Sequence, residues 1–284
     1  MSKSVLIIGG SGLLGMALRR AFAGDARYEV SFSSTRGDPA DPAHLKLDLL
    51  DSRETEQVRA FDILINLTGQ VTEPFSRCLE LNTAGIQNLI AAVRDGKQTL
   101  VQASTTLVYG TAETVTEESP LHPETPYASA KVQAEALLSD ALPPVRLLIA
   151  RLTNLYGPGQ TKGLLWFLLQ HVRKGTDIVI TDNNGDLQRH FLHVEDAARL
   201  LHALVAADAT GIVNVPGPEH YSIRDIVMLL GRITGKPPVA HYAGMPPTGN
   251  IGAIGIAVLA RHVPVTYKYS VEAFLREELA KEAT

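Results

Sequence analysis

Tyr127 and Lys131 stand four residues apart in Tyr127-Ala-Ser-Ala-Lys131, a spacing that stacks them on one face of a helix. An ammonium beside a phenol favours the phenolate, so the pair predicts a tyrosine that exchanges its proton well below the free value of about 10. Upstream, Gln102-Ala-Ser-Thr-Thr-Leu-Val-Tyr-Gly110 ends an apolar run with the hydroxyls of Ser104, Thr105 and Thr106, which a strand would deliver to a cleft. A tunable acid, its charge partner and a hydroxyl donor are the parts needed to add or remove a proton at a carbinol oxygen. That chemistry requires a hydride carrier.

The N-terminus predicts one. Ser4-Val-Leu-Ile-Ile8 is apolar from Val5 on, as in a strand buried on both faces, and it runs into Gly9-Gly-Ser-Gly-Leu-Leu-Gly15 and a helix from Met16 to Phe22. Glycines at 9, 12 and 15 allow a tight turn, close approach of backbone to a pyrophosphate, and close packing of helix on strand. After the second strand, about Tyr28 to Ser33, NAD binding calls for a carboxylate on the ribose hydroxyls. The chain has Ser33-Ser34-Thr35-Arg36 instead. Small hydroxyls and a guanidinium suit a 2′-phosphate, so the expected cofactor is NADP, held in part by Ser34 and Arg36. NAD bound without the usual acid is the alternative.

Apolar strands and helical patterns continue to alternate to about residue 150. Strands read at Asp62 to Leu67, Thr99 to Ser104 and Val145 to Arg151, with helices at Phe75 to Arg94 and Pro126 to Leu142. The rhythm predicts an α/β fold, a Rossmann-type doubly wound parallel sheet. It then breaks. A Gly/Pro loop at Asn154 to Gly159 leads to a helix at Leu164 to Arg173 and short strands near Ile178 to Thr181 and His190 to Val194. A helix from Glu195, a strand at Gly211 to Val215 and a Ser222-capped helix to Ile233 follow. Pro237 to Tyr269 is irregular, before a last helix at Ser270 to Lys281. The expected division is a dinucleotide-binding domain at 1–153, with 190–215 returning to it. Residues 154–189 and 216–284 then form a smaller C-terminal substrate-binding lobe.

Composition bounds the partners. The 284 residues can hold one large domain or two modest ones, and a net charge of −4 excludes nucleic acid and anionic membrane as main partners. No apolar run reaches the ~20 residues of a membrane span. A single cysteine, Cys78, rules out an intrachain disulfide. The start, Met1-Ser-Lys-Ser and then a strand, has no signal-like pattern, so a cytoplasmic location is expected.

With these residues in place, the chain resembles the extended short-chain dehydrogenase/reductases, the NAD(P)-dependent epimerase/dehydratase group acting largely on nucleotide sugars. The resemblance runs from Val5 to about Ile233 through motifs in order. They are Gly9 to Gly15, Asp48-Leu49, Asn66-Leu-Thr-Gly69, Ser104-Thr-Thr-Leu-Val-Tyr-Gly110, Tyr127-Ala-Ser-Ala-Lys131, Arg151-Leu-Thr-Asn-Leu-Tyr-Gly-Pro-Gly159 and Arg189-His-Phe-Leu-His-Val194. It implies that Tyr127 is the general acid/base and that Lys131 holds the nicotinamide ribose and lowers the Tyr pKa. Thr105 matches the hydroxyl that contacts the reacting oxygen. Gly9, Gly12, Leu13, Leu14 and Gly15 match the pyrophosphate turn, Asp48 and Leu49 the adenine site, and Leu67, Thr68 and Gly69 the dinucleotide lining. Asn154 and Arg189 match contacts to the substrate's sugar and diphosphate, Asn82 matches an Asn near the active site, and Thr106 joins the substrate side.

Two departures narrow the reading. Dehydratases and decarboxylases of the group carry an acid shortly after that Ser/Thr, whereas this chain has Thr105-Thr106-Leu107, and leucine does no acid/base work. The group also places a second Arg and an Asp near the C-terminus to clamp the nucleotide. Met245 to Ile256 supplies neither, which makes Arg261 the nearest candidate.

Other residues have plainer readings. The nine histidines show no i, i+4 metal pair, and no metal is expected; His193 reads as structural. Ser11, Ser104 and Ser129 lie in no G-x-S-x-G elbow, which removes hydrolase chemistry. Tyr109 and Tyr156 read as packing beneath the site, Trp166 and Phe167 as core before base-stacking platform, and Tyr267 and Tyr269 as lobe packing. The expected function is an NADP-dependent oxidoreductase that reduces a keto group on a nucleotide-linked sugar. An epimerase with tightly bound NAD is the alternative, and a redox-sensing binding protein a distant third, since Tyr127 and Lys131 both remain. The resemblance implies a homodimer through paired helices. Leu79, Ile86 and Leu89, with Val132, Leu137 and Leu138, supply that face unless they cover the sheet.

Overall fold

The structure is a computed structural model that describes residues 2–70, 74–180, 184–244 and 249–281. Its first half holds strands β1 (Lys3–Ile8), β2 (Tyr28–Ser34), β3 (His44–Lys46), β4 (Ile63–Asn66), β5 (Thr99–Thr105) and β6 (Ala112–Val115). Among them lie helices α1 (Leu13–Phe22), α2 (Ser52–Thr55), α3 (Phe75–Asn82) and α4 (Ala84–Val93), with α5 (Pro126–Ala141) after β6. The second half has β7 (Leu147–Leu152), β8 (Asn154–Tyr156), β9 (Ile178–Ile180), β10 (Gln188–His193), β11 (Gly211–Val215), β12 (Glu219–Ser222), β13 (Ala240–Tyr242) and β14 (Ile251–Ile254). Its helices are α6 (Leu164–Lys174), α7 (Val194–Ala206), α8 (Ile223–Thr234), α9 (Ala257–His262) and α10 (Val271–Ala280).

The apolar runs that read as doubly covered strands pair in parallel, in the order β11-β7-β5-β4-β1-β2-β3. The order reverses at β1, which lies between β2 and β4, so the loops leaving β1 and β4 part and open a crevice at their carboxyl ends. One face of the sheet is covered by α1, α7 and α9 through residues such as Leu18, Leu200 and Leu259. The other is covered by α4 and α5 through Ile86, Leu89 and Leu138. A separate core, with Leu168, Ile226 and Phe274, holds α6, α8 and α10 around β9 and β10.

Several boundaries differ from the sequence reading. The helix expected from Phe75 to Arg94 breaks at Thr83, with φ −119° and ψ −86°. Asn82 bonds the carbonyls of Gly69 and Cys78, which ties α3 to the loop after β4, while α4 packs on the sheet. Within 190–215, α7 and β11 lie with the central sheet, but residues 190–193 belong to β10, which pairs with β8 and β12. The tail read as irregular contains β13, β14 and α9; β13 pairs with β9 and β14 with β6, partners too distant in sequence to show in local patterning. Thr181, and Met245 to Thr248, lie outside the described residues. On the expected dimer face, Ile86, Leu89 and Leu138 are buried in the core and cover the sheet, whereas Leu79 is 41% exposed. Among the described residues no helix is long and apolar enough to cross a membrane.

Candidate active site

At the crevice, β1 turns through Gly9 at φ +82°, and the Gly12 N–H donates to Gly9 O at 3.1 Å. Gly12 caps α1 with no side chain over the helix end. A Cβ on Gly15 would stand 2.5 Å from Gly10 Cα, so only glycine lets α1 settle on the turn. A bare helix N-terminus with this cradle fits a pyrophosphate, whose charge the N–H groups and helix dipole stabilise. Leu14 is buried beneath it and Leu13 half-buried. Ser34 closes β2, and Arg36 beyond it is exposed. The Asp48 carboxylate takes Arg77 at 2.6 Å and the Leu50 N–H at 3.0 Å. Partial burial opposes its charge, yet these two contacts outweigh it and hold the carboxyl below its usual range. The Leu49 side chain is core, leaving Asp48 as the polar group of that pair.

Thr125 caps α5 by accepting the Ala128 N–H at 3.1 Å, and Pro126 opens the helix immediately before Tyr127. One turn on, Lys131 is fully buried and donates to Thr68 O at 3.1 Å and Ala103 O at 3.2 Å. Its ammonium is thus pinned between the ends of β4 and β5. Burial pushes its pKa down to about 8. The Tyr127 hydroxyl donates to Gln70 Oε1 at 3.0 Å. Loss of water around the phenol pushes its pKa above the ordinary tyrosine value, which corrects the depressed value expected from spacing alone. The reason is geometric: Lys131 aims its protons at carbonyls and lies 6.0 Å from the Tyr127 ring, so burial prevails.

Thr105 ends β5, and its hydroxyl accepts the Leu107 N–H at 3.3 Å; Thr106 follows, buried. Ser104 turns away and donates to Glu135. Glu135 also takes Arg151, at 2.6 Å and 3.2 Å, and Arg151 donates to the Tyr109 hydroxyl at 2.8 Å, which donates to Asn214 at 2.8 Å. This buried network locks α5 to the ends of β5, β7 and β11.

A cavity of about 700 Å³ opens between β8, α6 and β10, with Asn154, Gln160, Lys162, Trp166 and Arg189 in its wall. Trp166 and Phe167 therefore face a cavity and are only half-buried. Arg189 donates to Gly249 O at 3.1 Å. A Cβ on Gly249 would lie 3.4 Å from Leu107 and 4.0 Å from the Arg189 guanidinium, so the turn after Thr105 and the cavity meet there. Asn154 bonds His190 O at 3.2 Å. Asn82, by contrast, is buried with its amide on Gly69 and Cys78, so it shapes the loop after β4 and does not reach outward. Arg261 is exposed on α9, which packs against the central sheet at β11, and is not in the cavity wall. Among the described residues no group of three or more His, Cys, Asp or Glu could hold a metal ion.

Residues 5–223 match the NAD dependent epimerase/dehydratase family. The chain belongs to that family. Relatives of this epimerase/dehydratase chain include the uncharacterized UDP-glucose epimerase YtcB of Bacillus subtilis (strain 168), 29% identical over 57% of this chain and 53% of that protein. Another is the GDP-6-deoxy-D-mannose reductase of Pseudomonas aeruginosa, 31% identical over 61% of this chain and 63% of the relative. The chain thus spans between half and two-thirds of the length of these two. In fold it is similar to the UDP-glucuronic acid 4-epimerase of Bacillus cereus, solved with UDP-4-deoxy-4-fluoro-glucuronic acid and NAD, at TM-score 0.85 and 20% identity over 99% of this chain and 100% of that one.

For this family member the structure brings the Gly9–Gly15 turn, Thr68, Gly69, Thr105, Tyr127 and Lys131 to one crevice. Asn154 and Arg189 gather in the cavity beside it. Sequence reasoning missed Gln70, Lys162 and the Glu135–Arg151 pair. Glu135 carried a signal: it falls one turn after Lys131 on the same helix face.

Proposed function

We propose that this chain reduces a keto group of a nucleotide-linked sugar with NADP(H). The observation that carries the reading is the meeting of Leu107 and Arg189 at Gly249. A hydrocarbon occupies the position following the Thr105-Thr106 hydroxyls where dehydration needs a second acid, and a guanidinium beside it suits a diphosphate. The Gly9–Gly15 turn and the bare end of α1 would hold the pyrophosphate, Lys131 the nicotinamide ribose, and Ser34 with Arg36 the 2′-phosphate. The bound dinucleotide supplies the hydride. Tyr127 gives its proton to the carbonyl oxygen, Thr105 donates a hydrogen bond to that oxygen, and Lys131 stabilises the phenolate left behind.

The second reading is an epimerase with tightly bound NAD, favoured by the NAD held in the similar Bacillus cereus structure. The two part on what copurifies. Denaturation followed by mass spectrometry of released nucleotides is expected to yield NADP(H), and added NADPH should be consumed on nucleotide-linked keto sugars. Stoichiometric NAD with no NADPH consumption would transfer the assignment to the epimerase. We also assign a homodimer through α3, α4 and α5, supported by the exposed Leu79 of α3 and a shallow groove at Ile90, Ala91 and Leu137. Sedimentation as a monomer at micromolar concentration overturns it.

A further inference from the structure

Ser34 Oγ accepts the Gly37 N–H at 3.1 Å and lies 2.8 Å from His44 Nε2, across the β2–β3 pair. The His44 ring stacks on Phe32, centroids 4.3 Å apart at 23°, and the Arg19 guanidinium stands 3.4 Å from the centroid of the same Phe32 ring. These contacts fix the imidazole in place and leave its protons as the variable. Two residues past Ser34, Arg36 is exposed and bonds no described residue.

A serine hydroxyl has one proton to give and two lone pairs. Gly37 fills one lone pair. If His44 Nε2 carries no proton, Ser34 must donate to it, and the hydroxyl can then only accept from a newcomer. That state suits a ribose hydroxyl and repels a phosphate. If Nε2 carries a proton, His44 donates to Ser34, the second lone pair is filled, and the Ser34 proton is released toward an anion beside Arg36. A neutral imidazole can adopt either state, whereas an imidazolium can only donate.

We propose that His44 is a specificity-determining residue for the dinucleotide, setting the direction of the Ser34 hydrogen bond and with it the choice between a 2′-phosphate and a 2′-hydroxyl. The inference rests on the reading of Ser34 and Arg36 as the ribose end of the cofactor site. With His44 as the donor the Ser34 proton turns outward, so that direction of the contact favours the 2′-phosphate. The other charges near the ring are Arg19 from α1, Arg36, Asp38 and Asp41 from the β2–β3 loop, and Lys46 of β3 with its partner Glu54. Asp38 and Asp41 bond the Ala40 and Ala43 N–H groups of their own loop. Ser34 Oγ makes its hydrogen bonds with Gly37 and His44, which leaves His44 as the side chain that sets their direction.

The test is the dissociation constants of NADPH and NADH, read by fluorescence titration at one fixed pH on nucleotide-stripped protein. It compares wild type with His44→Phe, which keeps a ring on Phe32 but removes the partner of Ser34, and with Ser34→Ala. The wild-type preference for NADPH over NADH is expected to fall about tenfold in either variant, the scale of one hydrogen bond to a charged group. A preference unchanged in His44→Phe overturns the proposal alone. NADH bound as tightly as NADPH by the wild type removes the reading of Ser34 and Arg36 and the proposal with it.

Discussion

Burial acts in opposite directions on Tyr127 and Lys131, raising the pKa of the phenol and lowering that of the ammonium to about 8. Both shifts keep the pair neutral more readily than free side chains, a state suited to receiving charge during the reaction. Tyr127→Phe should retain dinucleotide affinity and lose turnover by about 10²–10⁴-fold, the usual worth of general acid catalysis. Stopped-flow turnover beside a binding titration checks both halves. Lys131 also sets a pH limb. As pH passes about 8 the folded protein loses the cation proposed to stabilise the phenolate, so on that reading kcat/KM for reduction should decline, and Lys131→Arg, which stays charged, should abolish that decline. Stability moves the other way. Between about 8 and the ordinary 10.5 the unfolded chain holds more protons at this site, so the Lys131 contribution to stability rises with pH across that window. Denaturant midpoints of wild type and Lys131→Met, compared at pH 7.5 and 9.5, read that difference.

Among elements, α5 does the most positioning. Its first turn carries Tyr127, its second Lys131 and its third Glu135, which grips Arg151 of β7 and Ser104 of β5. The pair is almost fully buried, at 2% and 5% side-chain exposure, so removing one partner strands the other charge. Glu135→Ala should therefore cost roughly 3–5 kcal/mol in urea unfolding, whereas replacing Glu135 and Arg151 together by apolar residues should cost much less. If the single variant loses under 1 kcal/mol, the pair does not hold α5 to the sheet. The break at Thr83 belongs to the same scale, because it lets α3 carry Asn82 to Gly69 while α4 stays on the sheet.

Over the whole molecule, a segment late in the sequence is set between Arg189 of the cavity wall and the turn after Thr105. Gly249 is held by Arg189 through its carbonyl and by Glu124 and Thr111 through its N–H, and β14 then pairs with β6. Residues that sequence places more than a hundred positions apart, Thr111 and Glu124 with Gly249, thus meet at one point. If Arg189 meets the substrate diphosphate as proposed, Arg189→Ala should raise the KM for a nucleotide-linked sugar about tenfold or more while kcat changes much less. An equal loss in kcat with KM unchanged would show that Arg189 acts on the chemistry instead.

What the sequence determined by itself was local. The buried runs such as Val5 to Ile8, the glycine spacing at 9, 12 and 15, the capped helix start at Ser222, and the stacking of Tyr127 over Lys131 all follow from neighbours within a few residues. Those signals carried the parallel sheet and the shared helix face of Tyr127 and Lys131. The tertiary structure decided the rest because it depends on distant partners. Lys131 is aimed at Thr68 and Ala103 rather than at the phenol, Asn82 is turned inward to Gly69, and Arg261 is kept away while Arg189 takes the cavity. The electrostatics of Tyr127 and Lys131 reversed for the same reason. Spacing fixes which charges are near, but only the packed fold fixes where their protons point and how much water remains around them.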